Sequence, residues 1–74
     1  MTAAQIVRIC RVQPFQPFVM YLASGRELHI RHPEMVILSG GGRIATVHED
    51  DEQYEIVDVL LIISIRPVID SKPI

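Results

Sequence analysis

The stretch FVMYLASGRELHIR, residues 18–31, decides how this chain folds. In its second half Leu28 and Ile30 alternate with Glu27, His29 and Arg31, the two-residue period of a strand with one apolar and one polar face. In its first half Phe18, Met20 and Leu22 face one way, while Val19 and Tyr21 face the other. Both sides are apolar there, so this strand is central or covered. Ser24 and Gly25 between the halves are a tight-turn signal. An antiparallel hairpin of strands 18–22 and 27–31 is the expectation.

Towards the N-terminus, Thr2 and Gln5 make a capping-box pattern, and Ala3, Ile6, Val7 and Cys10 recur at helical spacing. Pro14 ends that pattern, because the residue before a proline avoids the α region. The spacing predicts a helix over residues 2–12, too short to stand alone in water and therefore docked on something. Pro14, Phe15, Gln16, Pro17 and Phe18 follow as an extended strap that inserts two aromatic anchors. The same P-x-x-P spacing also matches a polyproline ligand for an aromatic groove.

Towards the C-terminus, His32, Pro33 and Glu34 interrupt pairing, with Pro33 suited to a turn or to the first position of a helical turn. Strand-like composition returns over residues 35–38, 43–48, 54–57 and 60–65. The separators are Gly40-Gly41-Gly42 and the acidic tip from Glu49 to Glu52, while Pro67 stops the last strand. A helix followed by five to six short strands predicts a mostly β chain, a small antiparallel barrel or strongly bent sheet. Residues 1–74 make a single domain, with β structure over 18–66 and a loose tail over 67–74.

Composition limits function. A chain of 74 residues hides only about 60% of its unfolded surface, so its stability is expected to be marginal and to rest on an efficient core or an oligomer. Cys10 is its lone cysteine, which excludes an internal disulfide and a Cys-rich zinc site. Hydrophobic residues are 49% of the chain and charged residues 22%, so apolar sheet surface is left for association to cover. A homo-oligomer, or a complex with another protein, is the expectation. Val57, Leu60 and Ile62, in the apolar run beside the last strand, are the candidate interaction edge, serving the core or a partner. No run spans a bilayer and the first residues lack a signal-peptide pattern, so the expectation is a cytoplasmic protein without membrane contact. The net charge of −2 gives no global attraction to nucleic acid.

The stretch PFQPFVMYLASGRELHIRHPEMVIL, residues 14–38, resembles a family of short uncharacterised bacterial proteins. Their pattern is a Pro-Phe-x-Pro-Phe strap, a hairpin with an Asp-Gly-Arg-type turn, a His-Pro-Glu corner and a closing apolar strand like residues 57–65 here. The resemblance covers residues 12–67 and implies no activity. Ser24 stands where that family has Asp, which alters turn chemistry more than fold. The order of elements is also similar to Sm-like and SH3-like small barrels. That likeness implies ring assembly through edge strands and RNA bound near the pore, with Arg26, Arg31 and His32 as the candidate nucleic-acid surface. His32, Pro33 and Glu34 stand where an Asp-x-x-Asn-type RNA-pocket motif belongs, a departure that bears on RNA binding rather than on shape.

Each chemical motif has a plainer structural reading. His29, His32 and Glu34 form a metal site only if His48 joins them, and otherwise are surface groups at a corner. Cys10 lies on the apolar stripe of the helix, where a thiol packs as a small hydrophobe. Gly40 to Arg43 lacks the Lys-Ser/Thr and the strand-to-helix context of a nucleotide loop, and reads as a hairpin loop. The Glu49 to Glu52 cluster lacks the ligand spacing of a calcium loop. Arg26, Arg31, Arg43 and Arg66, with Tyr21 or Tyr54, make a nucleic-acid surface only if folding gathers them. Nucleophile, base and orienting group do not occur together, so a non-enzymatic module without cofactor or metal is expected.

Overall fold

A computed structural model describes residues 1–50 and 52–68. Helix α1 spans Ala3–Cys10 and is closed at its start by the capping box. The Gln5 N–H donates to the Thr2 hydroxyl at 3.2 Å, and the Thr2 N–H to Gln5 Oε1 at 2.9 Å. These bonds satisfy donors that a helix start leaves orphaned. The helix stops before the expected residue 12, with Arg11 as its C-cap.

Six strands follow: β1 (Phe18–Leu22), β2 (Glu27–Ile30), β3 (Val36–Ser39), β4 (Ile44–His48), β5 (Tyr54–Asp58) and β6 (Ile62–Pro67). They form two antiparallel three-stranded sheets, ordered β2-β1-β6 and β3-β4-β5. The chain is therefore mostly β with an N-terminal helix. The hairpin read from residues 18–31 is present, with Met20 opposite Leu28 and Tyr21 opposite Glu27. β1, apolar on both sides, is the central strand of the first sheet.

Two boundaries differ from expectation for local reasons. Met35, expected at the start of a strand, ends a 3₁₀ turn, Pro33–Met35, that Pro33 opens. Its thioether accepts the Arg31 N–H at 3.3 Å, which fastens the corner. The apolar run after Asp58 does not enter a strand at once. The Asp58 carboxylate accepts the Leu60 N–H at 2.9 Å and caps a second 3₁₀ turn, Val59–Leu61, so β6 begins at Ile62. It runs on through Pro67, which occupies the strand's last position. The expectation of a loose tail over 67–74 falls, beyond Val68, outside the described residues.

The inner rows of both sheets build one core: Phe18, Met20, Leu22, Leu28, Ile30 and Ile62 from the first, Ala45, Val47 and Val57 from the second. Ile6 of α1 is fully buried in it, and Ile9, Cys10 and Phe15 pack around the rim. Phe15 and Phe18 of the strap meet with ring centroids 5.9 Å apart. The Gly40–Gly42 turn brings the backbone up to the helix. At Gly42, with φ of +89°, a Cβ would lie 2.8 Å from the Ala3 Cβ, so only glycine fits.

Candidate functional site

The side chains that carry chemistry are dispersed. His29 sits on the outer face of β2 with Nε2 3.6 Å from Glu27, His32 opens the corner, and His48 ends β4 against Tyr54. Among the described residues no three His, Cys, Asp or Glu side chains are gathered as a metal-binding group. Cys10 is half-buried in a groove lined by Ile6, Val7, Arg11, Val36 and Leu38, and burial pushes its thiol above the ordinary value. A raised thiol pKa lowers the thiolate fraction, the opposite of what a nucleophile needs.

The arginines are not pooled either. Arg26 is ion-paired with Glu55 of β5. Arg31 lines a groove whose lining also includes Glu27, His29, Glu49 and Asp50. Arg66 lies over the Tyr21 ring at 5.7 Å. His32 is exposed at the corner. The acidic loop is a built turn, with Asp50 Oδ1 accepting the N–H groups of Glu52 and Gln53 at 2.8 Å each.

What the fold does concentrate is exposed apolar surface. On the outer face of the second sheet Ile37, Thr46 and Ile56 form one cross-strand row, and Ile44 stands in the next, between Ser39 and Asp58. Ile56 is 64% exposed, and beyond β5 Leu60 is 74% and Ile63 63% exposed. Of the candidate edge residues, Leu60 stands in solvent, whereas Val57 and Ile62 are turned into the core at 6% and 0%. Strand parity explains this. Val57 shares the inward phase with Glu55, so its neighbour Ile56 points out. The surface side chains that sequence reading passed over are Ile37, Ile56, Leu61 and Ile63.

Backbone edges complete the site. The Val59 N–H donates to the Arg43 carbonyl and the Glu49 N–H to the Gln53 carbonyl, both at 2.9 Å, at the two ends of the β4–β5 ladder. Alternation between those ends aims the backbone groups of Glu55 and Val57 at β4. Those of Tyr54, Ile56 and Asp58 are aimed away from the sheet. On β6 the Val68 N–H bonds the Pro17 carbonyl at 2.8 Å, so Pro67, which has no N–H, faces outward.

The fold and surface define a small mostly β chain with exposed apolar side chains on the outer face of the second sheet and along residues 60–63, which lead into β6. Comparison with known proteins returned no matching family model, no matching curated protein and no matching solved structure. Among the described residues, no helix is long and apolar enough to cross a membrane.

Proposed function

We propose that this protein is a non-enzymatic assembly module that associates with copies of itself through an apolar sheet edge. The carrying observation is the exposure of Ile56 on β5, whose backbone groups at that position are aimed away from the sheet, together with that of Leu60, Leu61 and Ile63 in the segment that follows it along the chain. Unpaired strand edges flanked by apolar side chains recruit further strands, and covering them adds burial that a small domain lacks. The fold reading that accompanies this is a bent, partly open barrel. One core drawn from both sheets supports it, as does the corner at Pro33–Met35 that turns β2 into β3.

The test is mass in solution, by light scattering coupled to size exclusion over a wide range of concentration. A discrete oligomer that dissociates on dilution is the expected outcome. A monomer at every concentration overturns the proposal.

A further inference from the structure

Four strands lie at sheet edges: β2, β6, β3 and β5. Proteins protect such edges with short strands, charges, proline, bulges or a covering element. β2 is four residues long and carries Glu27 and His29, with Arg31 beyond it. β3 is also four residues long, and its Val36 and Leu38 face a groove that α1 lines from the other side. β6 ends in Pro67, and its register against β1 shifts at Tyr21 and Leu22, a bulge that bends the strand. β5 is five residues long and carries Glu55 and Asp58, but it has no proline and its register against β4 is unbroken; its outward residues are Tyr54, Ile56 and Asp58.

We infer that β5 pairs antiparallel with β5 of a second copy across a two-fold axis at Ile56, joining two three-stranded sheets into a continuous one. This rests on the self-association proposed above and names its surface. The register is set by charge. Centred on Ile56, Tyr54 of one copy stands opposite Asp58 of the other, a phenol donor beside a carboxylate, and Ile56 meets Ile56. A shift of one pleat one way sets Asp58 against Glu52, a like-charge pair, and the other way sets Asp58 against Ile56, which leaves the carboxylate facing an apolar side chain. In the chosen register the rows of Ile37, Thr46 and Ile56 from both copies run on as one apolar strip. A two-fold contact uses the same patch twice and closes at two chains.

Two experiments test it. Ile56→Pro removes an N–H that no strand within the chain uses, so the fold, read by circular dichroism, is retained. The mass then falls from twice the 8.4 kDa chain mass to one. Ile56→Lys, which leaves the backbone intact, gives the same fall if the proline disturbs the strand. Second, Ile56→Cys in a Cys10→Ser background gives an oxidised homodimer. Cα atoms of a directly hydrogen-bonded pair are about 5.5 Å apart, within disulfide range. A dimer that survives both position-56 variants, or an associating Ile56→Cys protein that fails to cross-link to itself, overturns the β5 pairing and leaves self-association standing. A wild-type chain that is monomeric throughout overturns both.

Discussion

The two sheets are built from the same number of strands and share one core, yet they meet solvent in different ways. On the outer face of β2-β1-β6, Val19 and Tyr21 are flanked by His29 and Glu27 on one side and by Arg66 and Ser64 on the other. Arg66 lies over the Tyr21 ring of the central strand, and Val19 is buried although it points away from the core. On β3-β4-β5 the corresponding flanks of Thr46 are Ile37 and Ile56, both exposed. The central strand of the first sheet is flanked by polar residues, although Ile63 of β6 stays exposed. The central strand of the second is flanked by exposed isoleucines, and the proposed self-association draws on that contrast.

The sharpest way to break the contrast is to truncate one apolar residue in each sheet. Met20 lies in the first sheet with no exposed surface, and replacing it with Ala is expected to cost about 2–5 kcal/mol in urea unfolding, or to abolish the folded baseline. Ile56→Ala in the second sheet removes a side chain that is 64% exposed, and at concentrations where the chain is monomeric it is expected to cost under about 0.5 kcal/mol. If the two losses were equal, Ile56 would already be covered within a single chain and the contrast would be false.

Much of this was legible beforehand, and the failures share a cause. Residues 18–31 announce their hairpin because alternation, turn and double-sided apolarity agree. Thr2 and Gln5 announce the helix start through a bond pattern that depends on local sequence alone. The run from Val57 to Ile65 is different, since nearly every residue in it is apolar and period carries no phase. Phase there is set by Asp58, whose carboxylate caps a 3₁₀ turn, and by the bulge against β1. Pairing with β4 turns Val57 inward, and those two events then bring Ile62 into the core and leave Leu60 and Ile63 in solvent. A one-residue slip exchanges core for surface, so the inward and outward residues of this run could not be told apart from its sequence.

A second effect, of intermediate size, tests the part of the molecule that the sheets share. Helix α1 closes the core where Gly42 passes Ala3, and Gly42→Ala introduces both a strained positive φ and a collision at 2.8 Å. The expected loss is roughly 1–3 kcal/mol, read by thermal unfolding. Gly41 has φ of +69° with open space around it, so Gly41→Ala carries the strain without the collision. A loss at Gly42 no greater than that at Gly41 would mean that the helix does not press on this turn.

The smallest effect concerns the ion pair that joins the sheets. Arg26, just after the β1–β2 turn, reaches Glu55 on the second sheet, and both side chains keep contact with water. Pairs of this kind contribute about 0–1 kcal/mol and are screened by salt. Arg26→Ala is therefore expected to lower stability by less than about 1 kcal/mol at low ionic strength, and by less still at about 1 M salt, where the screening length is about 3 Å. Glu55 also lies on β5, one residue from the proposed two-fold, and its inward phase keeps it off the outer strip. Removing its partner should therefore leave the solution mass unchanged while trimming stability. A variant that keeps its unfolding midpoint but loses association would instead assign the Arg26–Glu55 pair to the contact between copies, and would move the interface from the outer strip towards the junction between the sheets.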